Sequence, residues 1–321
     1  MQKKIKEGLL STPKYVPQWY LYDTHGSKLF DKIAMENPSY HIYRIEKTML
    51  EQYSDLIISD LGDDIVLCEL GAGSLTKTTH IISALLKKNK DLTYIPIDIA
   101  EDFLLQNATV LQGRFDSVLK VEPFVGDYDD GLTYLRSVQK DKLLIFLGSS
   151  VSNIALSKME IFLSRLFEAM GEKDRLLIGI DLTQDKDKLL AMYSDPETEI
   201  PFNLNLLTRL NREFNANFKR ENFRLHCNYV IREDMRGTIE HAHYIQQALQ
   251  STCEQVVHLG TLDLTIRFRE GELLYSHESA NMSLKWSWEQ FEDTMRRNGL
   301  YLEKTWSDDA NSYGLALLKR M

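Results

Sequence analysis

Three cysteines in 321 residues are too few for a disulfide framework, and Cys68 falls inside an apolar strand-like run. Cys68, Cys227 and Cys253 read as reduced thiols of a cytosolic protein, and no Cys/His spacing matches a zinc site, so no metal is expected. No run of 18 apolar residues occurs, which argues against a membrane-spanning helix and a membrane partner. The start, Met1-Gln2-Lys3-Lys4-Ile5-Lys6, carries the charges of a signal peptide without its apolar core. Cationic surface is also scarce. Lys and Arg number 38 against 47 Asp and Glu, a net charge of -9, which argues against a nucleic-acid partner that needs many phosphate contacts. There is no internal repeat and no low-complexity segment. What remains is 43% hydrophobic and 26% charged, ordinary for a soluble enzyme of one large domain or two.

The informative stretch is Ile65-Val66-Leu67-Cys68-Glu69-Leu70-Gly71-Ala72-Gly73, followed by a helix pattern from Thr78 to Lys88. A buried strand, a glycine turn and a helix form the first βα unit of a nucleotide-binding half-fold. Gly71 and Gly73 permit a sharp turn and close approach of a ligand to the main chain. The third glycine of a dinucleotide fingerprint is missing. Instead, a second strand, Tyr94 to Asp98, ends in an acid placed to bind ribose hydroxyls, and a third, Val121 to Val125, runs into Gly126-Asp127-Tyr128. Glu-x-Gly-x-Gly, Asp and Gly-Asp-aromatic, each at a strand end, resemble the cofactor site of class I S-adenosylmethionine methyltransferases.

In chain order, the pattern predicts one short helix in residues 1–20, a helix opening at Gly26-Ser27 with Leu29, Phe30 and Ile33 on its apolar face, and an aromatic-rich loop at 38–43 before a helix from Arg44 to about Ile58. Beyond Asp127 it predicts a helix to about Val138, a strand over Lys142 to Leu147, a helix over 157–170 and a strand over Arg175 to Leu182. Strand and helix thus alternate through 65–182, the pattern of a parallel sheet covered on both faces. Residues 186–225 read as helical. Val256 to Leu259, Leu262 to Phe268 and Glu272 to Ser276 alternate like antiparallel strands. A helix from Trp288 to Asn298 and two strands, Tyr301 to Trp306 and Tyr313 to Lys319, close the chain.

Several motifs recur together: Tyr22-Asp23-x-x-Gly26-Ser27-x-Leu29-Phe30-Asp31, Pro38-x-Tyr40-x-x-x-Arg44-x-Glu46, Glu69-Leu70-Gly71-Ala72-Gly73-x-x-x-Lys77-Thr78, Phe146-Leu147-Gly148-Ser149-x-x-x-Asn153 and Asp181-Leu182. In this combination the chain resembles the histidine Nα-methyltransferase family of ergothioneine biosynthesis over nearly its whole length. The resemblance implies an α/β fold: a Rossmann-like class I methyltransferase sheet, in residues 45–196 and 286–321. A second, mixed α+β substrate-binding domain, in residues 1–44 and 197–285, would cover the active site. It implies S-adenosyl-L-methionine as cofactor, held by Tyr22, Glu69, Gly71, Gly73, Lys77, Asp98, Asp127 and Tyr128. Tyr40, Asn153 and Tyr193 fall where the family grips the α-amino and α-carboxylate groups of its amino acid, with Tyr40 and Asn153 nearest the chemistry.

One segment departs from that pattern. Histidine-selective members carry Glu-x-Ser-x-Lys, where an acid and a hydroxyl meet imidazole. Here the register that keeps Ser279 puts His277 in the acid's place and Asn281 in the lysine's. A one-residue slip would offer Glu278 but turn the segment over. The family's Ile-Glu-Met reads Ile239-Glu240-His241. His241, His243, His277 and Ser279 are therefore the candidate side-chain readers. The expected activity is methyl transfer to the α-amino group of a free amino acid, histidine first. The alternatives are an aromatic, acidic or modified amino acid, or a non-catalytic cofactor- or metabolite-binding protein. The expected setting is a cytoplasmic monomer acting on a small molecule.

Overall fold

The structure is a computed structural model describing residues 1–232 and 242–321. It divides into two compact units. An α+β unit holds Met1–His41, Asp185–Ile231 and His243–Leu284; an α/β unit holds Ile42–Gln184, Lys285–Met321 and the described ends of Arg232–Ala242. The chain passes from the first unit to the second after His41 and back after Gln184, where the sequence reading has these boundaries at 44 and 196.

The chain opens in the α+β unit with α1 (Gln2–Leu10), β1 (Lys14–Tyr15) and α2 (Thr24–Glu36). Asp23 caps α2 by accepting from the Gly26 amide at 2.7 Å, so this helix starts ahead of the expected Gly26-Ser27. The α/β unit follows with α3 (Ile42–Ile57), β2 (Val66–Leu70), α4 (Thr79–Lys88), β3 (Leu92–Asp98), α5 (Glu101–Phe115), β4 (Leu119–Val121), β5 (Phe124–Val125), α6 (Tyr128–Leu135), β6 (Lys142–Phe146), α7 (Leu156–Ala169) and β7 (Arg175–Asp181). The expected strand over 121–125 is split at Glu122-Pro123 into β4 and β5, which both pair with β3. Proline has no amide hydrogen to continue the ladder.

The chain then enters α8 (Lys186–Tyr193) and α9 (Glu199–Phe214) of the α+β unit. The end of α8 is tied there: Asn37 Nδ2 donates to Met192 O at 3.0 Å and Gln247 Nε2 to Tyr193 O at 2.7 Å. Helix does not extend to 225. Residues Phe223–Arg232 form β8, followed by β9 (Ala242–Ser251), the hairpin β10 (Gln255–Leu259) and β11 (Leu264–Phe268), β12 (Leu273–Tyr275) and β13 (Met282–Lys285). Strand β9 pairs with β8, β12 and β13 and centres this unit's five-stranded sheet. It is buried on both faces, so its sequence shows no alternation to read. The chain ends with α10 (Trp288–Arg297), β14 (Leu300–Ser307) and β15 (Tyr313–Arg320).

The sheet of the α/β unit runs β14-β15-β7-β6-β2-β3-β4, with β5 also on β3. It is parallel except for β15, which lies antiparallel between β14 and β7. Strands β2 and β6 are buried at every residue. Winding reverses between them, since the chain runs outward through β3 and β4 and then returns to β6 and β7. Such a switch point leaves a crevice outside the carboxyl ends of the strands. At the opposite, amino-terminal edge, Lys142 and Asp174 close the sheet with a buried 2.8 Å ion pair. All three cysteines are free, and no described helix is long and apolar enough to cross a membrane.

At the end of β7, Asp181 accepts from Lys285 Nζ at 2.6 Å and from the Thr183 amide at 2.9 Å, with neither side chain of the ion pair exposed. Removing one partner of such a pair leaves the other's charge without its counter-ion in the core. Lys285→Met should therefore cost about 3–5 kcal/mol in urea unfolding; a loss below about 1 kcal/mol would show that Asp181 is satisfied without the cation.

Candidate functional site

The turn after β2 is built from left-handed backbone. Gly71 has φ +68° and Gly73 φ +55°, and Leu75 lies at φ +61°. A Cβ on Gly71 would approach the Tyr128 hydroxyl at 3.1 Å, while one on Gly73 would point into open space. The Gly71 amide donates to Ile97 O at 2.9 Å, and the Gly73 amide to Asp98 Oδ2 at 2.9 Å. Asp98 Oδ1 accepts from the Ala100 amide at 3.0 Å. This carboxylate is half-buried, and two bonds leave lone pairs on both oxygens for further donors. Tyr128 packs edge-on against Phe146, with centroids 5.1 Å apart. Asp127 caps α6 by accepting from the Asp130 amide at 3.0 Å, in a reciprocal capping box.

Glu69 lies deeper than the turn it precedes. It is 3% exposed, and its Oε2 accepts from Thr78 Oγ1 at 2.6 Å and from the Tyr94 hydroxyl. Burial pushes its carboxyl up to about 7, against the two hydrogen bonds that favour the anion.

Lys77, just before α4, is ion-paired with Glu46 of α3 and lies 5.5 Å from the Tyr43 ring centre. Glu46 is fully buried. Its Oε1 accepts from the Gly148 amide at 2.7 Å and from the Tyr313 hydroxyl at 2.5 Å. Gly148 opens the turn that leads from β6 to Asn153, which ends a short 3-10 segment, Ser150–Asn153, and is half-buried. That turn is held at two further points. Ser149, at φ +56°, accepts through Oγ from the Asp181 amide at 3.0 Å, and Ser152 Oγ accepts from Trp286 Nε1 at 3.1 Å. The two serine hydroxyls are 2.7 Å apart.

In the α+β unit, an aromatic cluster gathers three of the expected residues. Tyr22 packs on Phe30 and Phe202 at 5.6 and 5.7 Å, Tyr40 on Phe30 at 6.0 Å, and Tyr40 on Tyr193 at 6.3 Å. Tyr22 thus belongs to a different unit from the other expected cofactor residues. The Tyr193 hydroxyl is 2.6 Å from Ser283 Oγ. His277 is 2% exposed, and its Nδ1 accepts from the Ser279 amide at 3.1 Å, with Ser279 Oγ at 2.8 Å. The amide contact assigns the ring proton to Nε2. Asn281 Oδ1 accepts from Gln246 Nε2 at 2.6 Å. His243 Nδ1 meets the Tyr229 hydroxyl. His241, with Ile239 and Glu240, lies outside the described residues. No group of three or more potential metal ligands occurs among the described residues.

The family model described as histidine-specific methyltransferase, SAM-dependent, matches residues 1–320. The chain belongs to this family. It is 30% identical to the histidine N-alpha-methyltransferase of Mycobacterium tuberculosis over 99% of this chain and 94% of that one. Identity to the Mycolicibacterium smegmatis enzyme of the same name is 29%, over 100% and 95%. It is also 28% identical to ergothioneine biosynthesis protein 1 of Neurospora crassa, over 96% of this chain but 33% of that longer one.

At the carboxyl edge of β2 and β3 the Gly73 position faces open space, with the half-buried Asp98 carboxylate bonded beside it. The sequence reading gave no role to several buried polar groups, namely Glu46 and the pair Asp181–Lys285 in the α/β unit and Glu199 with Gln247 in the α+β unit. A signal existed for Glu46. It falls on the stripe of α3 that carries Ile42, Met49 and Leu50, where a charge is out of place unless it is paired. Glu199 is likewise buried, accepts from Gln247 Nε2 at 2.9 Å, and is pushed up to about 7 by burial.

A carboxyl whose folded value is raised contributes stability below its ordinary value near 4.5 and loses it as pH rises through about 7. Glu69→Gln keeps an acceptor for Thr78 and Tyr94 without the charge. The variant should lose the Glu69 share of the decline in stability between pH 5 and 8, on the order of 3 kcal/mol, with Glu199 supplying the remainder. Urea unfolding across that range checks this; an unchanged slope would place Glu69 as an ordinary anion.

Proposed function

We propose that this chain transfers a methyl group from S-adenosylmethionine to the α-amino group of free histidine, as a monomer in the cytoplasm. The observation that carries the reading is the bonded glycine turn and Asp98 at the carboxyl edge of β2 and β3, in a chain matched by the family from end to end. The mycobacterial relatives that align over nearly their whole length are named for histidine, and no observation favours a non-catalytic role.

When bound, S-adenosylmethionine supplies a methyl group on a sulfonium centre, open to in-line displacement by an amine. The chain's work is then to hold and orient. In this reading Asp98 accepts from the ribose hydroxyls, and the Gly71–Gly73 turn lets the main chain lie close. Lys77, Asp127 and Tyr128 complete the cofactor contacts, with Glu69 fixing the turn from below through Thr78. Tyr22 is assigned to the cofactor on the family resemblance alone. The family resemblance alone assigns Asn153, Tyr40 and Tyr193 to the amino acid's α-amino and α-carboxylate groups. An amide and phenols orient the amine lone pair without adding a charge that would keep it protonated. The amine sheds its proton to solvent before attack, so no strong base is required.

One observation favours a second reading in which the side chain accepted is not histidine's. The segment that carries an acid in histidine-selective members has His277 here, with Nδ1 bonded to Ser279. An imidazole side chain can donate or accept where a carboxylate only accepts, so it would meet a substrate side chain differently. Incubation with S-adenosylmethionine and each of the twenty amino acids singly, read by mass, decides between them. Methylation of histidine is expected; selective methylation of another amino acid would establish the second reading, and no product with any would end both.

Two substitutions test the assignments. Asp98→Ala removes hydrogen bonds to a charged acceptor, worth about 1.5–3 kcal/mol, and should weaken cofactor binding about 10- to 100-fold in calorimetry; unchanged binding would remove Asp98 from the ribose. Asn153→Ala should lower turnover about a hundredfold while changing cofactor affinity little. Equal small effects on both would take Asn153 out of the site.

A further inference from the structure

Two turns flank the switch point of the α/β sheet: the glycine turn after β2, which runs to Lys77, and the turn after β6, which runs from Gly148 to Asn153. One side chain holds both. Glu46 reaches from α3 with its carboxylate wholly buried, pairs through Oε2 with Lys77, and accepts through Oε1 from the Gly148 amide at 2.7 Å and the Tyr313 hydroxyl at 2.5 Å. A Cβ on Gly179, in the middle of β7, would come within 2.4 Å of the same Oε1, so the oxygen lies hard against the sheet. Of the three groups bonded to this carboxylate, Lys77 and the Gly148 amide lie on the turns that the proposed chemistry uses.

We propose that Glu46 is a positioning residue for methyl transfer: it sets the spacing of the cofactor-side turn and the Asn153 turn through one carboxylate. The inference rests on the proposed cofactor and amine roles of those turns. The physical argument is one of valence. A carboxylate has two oxygens with fixed separation, so splitting them between a cation on one turn and an amide on the other fixes the distance between the turns. Each turn also contains a non-glycine residue in the left-handed region, Leu75 at φ +61° and Ser149 at φ +56°. Such backbone persists only where its surroundings over-determine it. An amide at position 46 keeps the size and one acceptor, but turns a donor toward the Lys77 ammonium, so the link to the first turn is lost while the link to the second can remain.

The test compares wild type, Glu46→Gln, Glu46→Gln with Lys77→Gln, and Tyr313→Phe in the full chain. Binding of S-adenosylhomocysteine by calorimetry, kcat and KM for histidine, and Tm are measured on each. Glu46→Gln should lower kcat at least tenfold and weaken S-adenosylhomocysteine about tenfold, with KM for histidine changed less than threefold. The double variant removes the stranded cation and should regain Tm but neither affinity nor kcat, since nothing then holds the first turn to the second. Tyr313→Phe, which removes a donor to the carboxylate together with the hydroxyl's bond to the Ser149 backbone in the second turn, should lower kcat several-fold at nearly unchanged Tm. It carries the test if Glu46→Gln fails to fold. The proposal is overturned if Glu46→Gln lowers only Tm, if the double variant regains full kcat and affinity, or if Tyr313→Phe leaves kcat within twofold. A wild type that binds S-adenosylhomocysteine but does not methylate histidine would refute the proposed substrate instead, with the affinity comparison still deciding the role of Glu46.

Discussion

The hydrogen bond from the Gly73 amide to Asp98 joins the carboxyl ends of two neighbouring parallel strands. Parallel strands finish on the same side, so their terminal amides and carbonyls collect along one edge, where the ladder no longer satisfies them. Ile97 O takes up the amides of Gly71 and Ala72, and Asp98 takes up those of Gly73 and Ala100. Over Gly71–Gly73 the turn is therefore anchored through its backbone amides, and the Gly73 position faces open space. Left-handed glycines make this possible, because a side chain at Gly71 would crowd the Tyr128 hydroxyl. The start of α4 and the buried Thr78–Glu69 bond follow from the path that this anchoring imposes.

Much of the α/β unit was legible because its physics is local. Apolar runs ending in Gly or Asp, with helices between them, specify a doubly covered sheet almost irrespective of what packs elsewhere. The C-terminal hairpin was equally plain, since β14 and β15 are bounded by Gly299 and the polar turn at 308–312. The α+β unit was less legible. Strand β9 shows neither alternation nor a long apolar run, and Gln246 and Gln247 lie within it. Those amides are accounted for only by partners far along the chain, Asn281 for one and Glu199 with the Tyr193 carbonyl for the other. A single sequence does not display such pairings.

The same distinction holds for the candidate site. Residues offering chemistry at strand ends, such as Asp98, Gly71 and Asn153, stand out by position. Residues that act by holding the backbone, such as Glu46, Ser149 and Ser152, look like ordinary helix or loop polar groups until their acceptors and donors are located. Asp127 stands between the two kinds: its place after the third strand suggested a ligand contact, and the structure gives it a helix to cap as well.

The two edges of the large sheet share a property with no bearing on methyl transfer. On one side the outermost ladder is interrupted at Pro123; on the other, β14 carries an irregularity between Leu302 and Lys304, with Glu303 bonded to Arg175 and Lys319. An uninterrupted edge is a template on which another chain can add a strand, and proline, bulges and charge are the means by which proteins spoil it. Both rims of this sheet are spoiled in that way. The protein can therefore keep a wide, strongly apolar sheet without offering a growing end for aggregation while the chain is crowded or partly unfolded.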